Sequence, residues 1–351
     1  MKTWVKIVIA VLLVVFVSAW ILPHLPYRQD KPSVEYKGII EVWHVESFEG
    51  GQGSRASWLR SRATELEKRY SGLYFDIATL TYSQLTNKLE EGQLPDLISF
   101  SIGVGNTVLP FLQPFNGSVD CYDNLLMSGE ADNTVYAVPY CAGMYSLFAR
   151  QKHLDQLHVE VGSVISSLAD MKLTVKQGKN TFNLVALGVG FAGFNSPLSA
   201  LSGVSGVAVD MDNTQYTAYE KYLTSKSFVT LLGTQRDVFR LGNRLEQGRT
   251  DSFETVVLDG YTDLVQYVGI STTDNDKLQY CRQFVEHIVS SDSQKKLVSV
   301  GMLSVSGQCD YSDVTLSEMQ RKLSMCEVPC VFESHESILS RRQTASSGVQ
   351  S

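Results

Sequence analysis

The amino-acid sequence predicts an α/β protein with room for two domains, preceded by a hydrophobic export or anchor segment. The chain has 351 residues, which is long for one hydrophobic core and comfortable for two. Strand-like and helix-like segments alternate over the first hundred residues, as strand, helix, strand, helix, strand. This alternation is typical of a parallel sheet covered by helices.

The first strand and helix are predicted within residues 38–70. Residues 38–43 (GIIEVW) are strand-like, and Ser54 is a candidate N-cap for the helix that follows. The apolar positions of this helix are spaced by four, three and four residues, which is helical periodicity. They are Leu59, Ala63, Leu66 and Tyr70.

A second strand is predicted over residues 73–79 (LYFDIAT) and a third over residues 95–100 (PDLISF). Between them, Thr81 and Gln84 have the spacing of a capping box and predict a short helix. Later segments are an extended stretch and two helices, the last ending at a glycine: 137–149, 278–288 and 291–300.

The N-terminal segment indicates where the body of the chain resides. Lys2 and Lys6 precede an apolar run over residues 7–22, and this order favours a cytoplasmic N-terminus with an exported body. We interpret residues 1–22 as an uncleaved membrane anchor, with a signal peptide cleaved after Ala19 as the alternative.

Two further segments are predicted to lack a fold of their own. Residues 23–37 contain three prolines and several charges, which is typical of an extended linker. Residues 336–351 lack apolar periodicity, and we expect a disordered tail there.

Composition and motifs exclude several function classes. The net charge of −7 and the absence of a basic block disfavour a nucleic-acid partner. Neither the G-x-S-x-G pattern nor H-E-x-x-H occurs. We therefore expect no enzyme, no cofactor and no metal site.

The six cysteines are not spaced as a zinc site. An exported protein can form disulfides. Cys326 and Cys330 are the closest pair in the sequence and the first candidates. Cys121 with Cys141 is the second candidate pair. Free buried thiols are the alternative.

A glycine-rich loop precedes the first predicted helix. Residues 51–56 (GQGSRA) fit the dinucleotide pattern G-x-G-x-x-A, but Glu46 and Glu49 lie in the same loop. Two carboxylates there would repel a pyrophosphate, so we disfavour a nucleotide site. The remaining interpretations are a flexible connection and a loop that faces a ligand at the carboxyl edge of the sheet.

Residues 233–240 (GTQRDVFR) follow an apolar run and carry several polar side chains. Such side chains at a sheet edge bind hydroxyls or a carboxylate. A surface turn with a local Arg–Asp pair is the alternative.

Five stretches, taken in order, resemble the extracellular solute-binding proteins of ABC importers, in the broad sugar-binding family that includes maltose-binding protein. They span residues 38–305. The stretches are IIEVWHVESFEGGQG, GQLPDLISFSIG, AVPYCAGMYSLFAR, LLGTQRDVFRL and YCRQFVEHIVSSDSQKKLVSVGMLSV.

The resemblance implies a two-lobed, periplasmic-binding-protein-like fold of type II with the ligand between the lobes. Lobe 1 would comprise residues 38–138 and 266–305, and lobe 2 residues 139–265 and 306–335. The hinge crossings would then lie near residues 137–140 and 268–272.

Positions that match the family's ligand contacts carry aromatic rings and polar side chains, which suit a sugar. Core packing is the alternative for the aromatic residues, and Trp58 is assigned to the core. The implied ligand-binding residues are Trp43, His44, Ser47, Ser99, Ser101, Tyr140, Tyr145, Thr234, Gln235 and Arg236.

Two departures from the family pattern qualify the expected function. No cysteine follows Ala19 as a site for a lipid anchor, and the chain has only four tryptophans, which disfavours a long sugar. We therefore expect a non-enzymatic protein that carries a small sugar or polyol to an ABC permease. A membrane-tethered sensor or structural partner with the same fold is the alternative.

Overall fold

A computed structural model describes residues 33–45, 53–164, 174–186, 194–200, 215–225, 227–307 and 309–347, together with residues 4 and 48. Apart from Trp4, the predicted anchor lies outside these residues, as do most of the predicted linker and Ser47. No helix in the described part of the chain combines the length and the apolar character needed to cross a bilayer.

The first of two five-stranded sheets contains the three strands predicted from the first hundred residues. Its order is β2-β1-β3-β12-β6. Strand β1 pairs in parallel with β2 and β3, whereas β12 pairs antiparallel with β3 and β6. The strands are β1 Ser33–Val45, β2 Ser71–Leu80, β3 Leu97–Phe100, β6 Val138–Ala142 and β12 Val265–Ile270.

The helices that join these strands begin at the predicted caps. The Ser54 hydroxyl accepts a hydrogen bond from the Ser57 amide and starts helix α1, Arg55–Arg69. Thr81 and Gln84 form the predicted capping box and start helix α2, Tyr82–Glu90. Each cap satisfies amides that the helix itself leaves unpaired. The predicted β-α-β-α-β unit is therefore confirmed.

The second sheet has the order β11-β7-β10-β9-β8. Strand β7 lies antiparallel to both β10 and β11, and β10 runs parallel to β9. Its strands are β7 Tyr145–Arg150, β8 Thr174–Gln177, β9 Asn180–Ala186, β10 Phe228–Thr234 and β11 Phe253–Val257. The remaining strands, β4 Glu130–Ala131 and β5 Thr134–Val135, form a separate hairpin.

The other helices are mostly short, and the longest of them contains the helix predicted over residues 278–288. Asn275–Val289 buries Cys281, Phe284, Val285 and Ile288. The helices are α3 Gly105–Val108, α4 Asp123–Met127, α5 Gln151–Leu157, α6 Gln215–Thr224, α7 Gln235–Glu246, α8 Asn275–Val289, α9 Ser291–Gln294, α10 Val314–Lys322 and α11 His335–Ser347.

Helix α11 occupies residues that the sequence predicts to be disordered. Among its residues 335–341, whose burial is described, Ile338 is the one buried apolar side chain, and no apolar period marks the helix in the sequence. Polar contacts supplement that side chain: Arg341 donates to the Tyr261 hydroxyl at 2.7 Å, and His335 contacts the Gly103 carbonyl.

The chain passes between the two sheets at two places. The first passage joins β6 to β7 between Ala142 and Tyr145, and the second lies between Val257 and Val265. The resemblance implies crossings near residues 137–140 and 268–272, but those positions fall largely within β6 and β12. The lobe boundaries stay predictions.

All six cysteines are free thiols, so both predicted disulfide pairs are wrong. Cys326 is buried and its thiol contacts the Lys322 carbonyl, whereas Cys330 is exposed and contacts the Glu130 carbonyl. Proximity in sequence did not bring the two sulfurs together, since a bridge also requires Cβ atoms that point toward each other.

Candidate functional site

Four polar side chains meet at the carboxyl end of β1 and β3. The Ser99 hydroxyl lies 2.9 Å from His44 Nδ1 and 2.9 Å from the Tyr140 hydroxyl, and it accepts from Gln266 Nε2 at 3.0 Å. Strand register creates the group, because His44 and Ser99 are direct partners in the parallel ladder. We call His44, Ser99, Tyr140 and Gln266 the Ser99 cluster.

The cluster is internally satisfied. Since Gln266 donates to Ser99, one complete arrangement has Tyr140 donating to Ser99 and Ser99 donating to His44 Nδ1. Each of the four residues is at most 1% exposed. Burial, followed by the charges of Arg55 and Arg60, lowers the pKa of His44 to about 3. The imidazole is therefore neutral at physiological pH.

Arg55 closes the cluster from the start of α1. Its Nη1 donates to Gln266 Oε1 at 3.3 Å, its Nη2 donates to the Phe48 carbonyl, and its guanidinium lies 4.1 Å from the centre of the Phe48 ring. Within the described part of the chain, no carboxylate pairs with this nearly buried cation. Arg55, the first helical residue after the glycine-rich loop, therefore lies at the carboxyl edge of the sheet.

Gly53, the last glycine of that loop, packs against the backbone of another segment. A Cβ at this position would lie 3.0 Å from Val300 Cγ1, and the Gly53 amide faces the Val300 carbonyl. Gly51 and Gln52 lie outside the described residues. The close approach of Val300 therefore explains why residue 53 is a glycine, and phosphate binding is not needed to explain it.

Trp58 lies beside the Ser99 cluster. Its ring stacks on Tyr140 with centroids 5.8 Å apart and planes 6° apart. It is buried, as the sequence analysis expects of a core residue, and its Nε1 has no hydrogen-bond partner. The stack therefore places two aromatic rings next to the Ser99 cluster, and the indole Nε1 is a donor without a partner there.

The side chains of two other predicted ligand residues, Trp43 and Ser101, make no hydrogen bond to the Ser99 cluster. Alternation along β1 sends Trp43 to the face opposite His44, where Lys88 Nζ lies 5.1 Å from its ring centre. Trp43 is thus a core residue, the alternative that the sequence left open. Ser101 is fully buried after β3, and its hydroxyl has no hydrogen-bond partner.

Tyr145 contributes to a second polar group, which holds the connection between the sheets. Its hydroxyl donates to Asp263 Oδ1 at 2.7 Å. The same carboxylate accepts from the Tyr261 hydroxyl, the Asn195 side chain and the Ser196 amide. We call these five residues the Asp263 cluster.

The start of α7 contains the remaining predicted ligand residues. Thr234 is the N-cap, and Asp237 completes a capping box with it. Gln235 accepts from the Met144 amide at 3.1 Å and donates to the Met302 sulfur at 3.5 Å. The half-buried Arg236 donates its backbone amide to the Thr234 hydroxyl.

Gln235 requires a glycine in the first passage between the sheets. A Cβ at Gly143 would lie only 2.5 Å from Gln235 Oε1. The Gly143 backbone also receives a hydrogen bond from the Thr262 hydroxyl, which belongs to the second passage. The two passages are therefore bonded to each other and to α7.

Neither the protein-family models nor the curated proteins contain a match to this sequence, but solved structures match the fold. The GacH receptor of Streptomyces glaucescens GLA.O, solved unliganded and with acarbose, has a TM-score of 0.61 at 13% identity, over 90% of this chain and 95% of that one. The galacto-N-biose-/lacto-N-biose I-binding protein of an ABC transporter from Bifidobacterium longum has a TM-score of 0.61 at 10% identity, over 90% and 92%. The sugar-binding protein MalE from Xanthomonas citri has 0.60 at 14%, over 90% and 93%.

The chain has the fold of the sugar-binding proteins of ABC importers. Such low identity establishes the fold, and the chemistry must be argued from the site. The predicted fold class is confirmed for the described residues.

Two contributors to the candidate site, Arg55 and Gln266, were not among the predicted residues, and Trp58 was predicted only as a core residue. Arg55 follows the N-cap and Trp58 lies three residues later, so both face the same side of α1. That spacing was the available signal. Gln266 reaches the cluster through an antiparallel pairing with a strand far away in sequence, and no local pattern marks it.

Proposed function

We propose that the chain is an extracytoplasmic solute-binding protein, which takes a small polar solute between two lobes and presents it to an ABC permease. The solute class is a sugar or polyol. The Ser99 cluster carries this proposal, because it gathers donors and acceptors from four strands at a carboxyl sheet edge, where α/β proteins bind ligands. The proteins that share the fold are binding proteins rather than enzymes.

The chemistry of the Ser99 cluster suits a hydroxyl-bearing solute. A sugar hydroxyl both donates and accepts, so it can replace the Ser99 or Tyr140 hydroxyl in the same set of hydrogen bonds. The stacked rings of Trp58 and Tyr140 supply the flat apolar surface against which a sugar ring packs. Arg55 adds a cation without a carboxylate partner among the described residues, which extends the solute class to acidic sugars.

Burial of the cluster sets a condition on binding. Since its side chains are at most 1% exposed, the solute enters only when the lobes separate, and it exchanges its hydrogen bonds for those within the cluster. A protein that must first populate an open state binds with an apparent affinity reduced by that population. We therefore expect moderate rather than tight binding.

The proposal includes tethering by residues 1–22. The motivating feature is the pair of lysines ahead of an apolar run. Intact-mass analysis of the chain from membranes tests this part. A mass that retains Met1 supports the anchor, and a mass beginning after Ala19 supports a cleaved signal peptide.

The decisive experiment is thermal unfolding of the full-length chain in detergent, with sugars, polyols and uronic acids as additives. A solute at a hundredfold excess over its dissociation constant stabilises by about 2.7 kcal/mol. Ser99→Ala should abolish the shift produced by any solute that is found. Tyr74→Phe, which alters an exposed tyrosine on β2, is the matched control and should leave that shift intact.

A second candidate function is a membrane-tethered sensor or structural partner that retains the fold. The observation in its favour is that Ser99, Tyr140, Tyr145 and Gln235 are buried and bonded to other parts of the chain. If none of the sugars, polyols and uronic acids changes the thermal unfolding of the chain, this candidate is favoured over solute transport.

A further inference from the structure

A cavity of about 730 Å³ opens on the second sheet, away from the Ser99 cluster. It lies at the end of β7 that carries Arg150. The opposite end of β7 carries Tyr145 and contacts Asp263. With five steps of strand between them, the two ends are roughly 16 Å apart. The cavity is thus separate from the site proposed for the solute.

Four cationic side chains line this cavity. They come from three segments: Arg150 and Lys152 where β7 meets α5, Lys179 in the β8-β9 turn, and Arg249 in the loop after α7. One carboxylate, Asp251, lines the same cavity. Among the described residues, no salt bridge engages the exposed Lys152, Lys179 or Arg249. The whole chain is acidic, with a net charge of −7. The cavity lining, by contrast, has more positive than negative side chains.

Arg150 lines the cavity and has one donor that the described part of the protein leaves without a partner. It is only 9% exposed, lies 4.5 Å from the centre of the Tyr222 ring, and its Nε has no hydrogen-bond partner. A buried guanidinium with an unpaired donor is costly to the folded state. An anion in the cavity would supply the missing acceptor, and the planar fork of arginine matches phosphate oxygens.

The remaining lining fits an organic group attached to that anion. Phe182 is buried and packs edge-on against His153, with ring centroids 5.4 Å apart. Leu223 adds a second apolar surface to the cavity. The volume is far larger than one phosphate requires and lies in the range of small-molecule sites.

We propose that this basic cavity binds a small organic phosphate, with its phosphoryl group at Arg150 and its carbon skeleton against Phe182. This site is independent of the solute proposed for the Ser99 cluster. Binding of a phosphate ester there would make the second lobe responsive to a compound other than the transported solute.

Isothermal titration of the full-length chain in detergent tests the proposal, with inorganic phosphate, glucose 6-phosphate and glucose as probes. We expect glucose 6-phosphate to bind more tightly than inorganic phosphate. The double variant Lys179→Gln/Arg249→Gln should weaken both by about tenfold or more, since each removes a charge-assisted contact. Both substitutions are at exposed positions, so folding should persist.

Lys68→Gln, an exposed lysine on α1, is the matched control and should leave phosphate affinity unchanged. Absence of phosphate binding, or equal affinity in the double variant and the parent, would overturn the site. Equal affinity for inorganic phosphate and glucose 6-phosphate would overturn the assignment of an organic phosphate. Any binding of glucose that the double variant leaves intact belongs to the other site.

Discussion

Arg55 fixes the orientation of the Gln266 amide. Because a guanidinium only donates hydrogen bonds, Gln266 must turn Oε1 toward Arg55, 3.3 Å from its Nη1. The amide nitrogen then faces Ser99 at 3.0 Å and the Val45 carbonyl at 3.3 Å. One residue at the start of a helix thereby sets the donor pattern of the Ser99 cluster.

Gln266→Leu should destabilise the chain by roughly 2–3 kcal/mol, since it leaves Arg55 and Ser99 each short of a buried partner. Urea unfolding measures this loss. Gln93→Leu, on an exposed loop, is the control and should change stability by less than about 1 kcal/mol. Equal effects of the two substitutions would contradict the assigned role of Gln266.

His44 should make stability depend on pH. Its pKa falls from an ordinary 6.5 to about 3 in the folded chain, so between these values the unfolded state binds the extra proton. Stability contributed by the neutral ring is present above about pH 6.5 and is lost as the pH falls, by up to about 1.4 kcal/mol per pH unit.

His44→Asn retains an acceptor for Ser99 and removes this titration. Unfolding free energies measured from pH 4.5 to 7.5 should therefore show a flatter profile in the variant. His158→Asn changes a histidine in an exposed left-handed turn and serves as the control. Parallel profiles for the parent and His44→Asn would show that this histidine does not titrate as described.

Gly143→Ala should cost about 1–3 kcal/mol, because the added methyl group meets Gln235 Oε1. In a Gln235→Ala background the same change should cost much less, since the obstructing atom is gone. A thermodynamic cycle over the four proteins measures the coupling. Gly162→Ala, where an added Cβ meets no atom within 4 Å, is the control. Additive effects of Gly143→Ala and Gln235→Ala would exclude the contact.

Tyr145→Phe should lower stability by about 1 kcal/mol, because Asp263 loses one of its donors. Tyr74→Phe removes an exposed hydroxyl and should have no measurable effect. Thermal unfolding of both variants distinguishes the two. A loss no larger than that of the control would mean that the Tyr145 hydroxyl does not support the Asp263 cluster.

The thiols should react at very different rates. Cys330 is exposed, whereas burial raises the pKa of Cys141, Cys121 and Cys326 to about 12. A thiol reagent should label one cysteine quickly in the native chain and all six after denaturation without reductant. Cys330→Ser should remove the fast phase. Fewer than six reactive thiols in denaturant would reveal a disulfide.

Local signals predicted the first hundred residues of the fold. The side chains of Ser54 and Thr81 each accept from the amide three residues further on, so these caps can be recognised from sequence. The apolar stripe of α8 is equally local. Helix α11 has no such signal: Ile338 is the buried apolar side chain in its described part, and the hydrogen-bond partner of Arg341 comes from a distant segment.

The candidate site was predicted less completely, since its geometry comes from strand register. His44 and Ser99 were predicted and do meet. The resemblance implied that Trp43 lies beside them, but side chains alternate along a strand, so Trp43 points to the opposite face of the sheet. Tyr145 and Gln235 are bonded to Asp263 and Met144, which lie in passages whose path no local pattern describes.

The stack of Trp58 on Tyr140 also gives this protein a built-in optical reporter. Two of its four tryptophans lie near the N-terminus, and Trp43 is held under Lys88 on the opposite face of the first sheet. Trp58, which stacks on Tyr140, is the indole whose surroundings would change under the proposed exchange of hydrogen bonds in the Ser99 cluster. Emission from Trp58 would therefore report the proposed binding in the unlabelled chain, and Trp43→Phe would separate this signal from that of the other indole in the body.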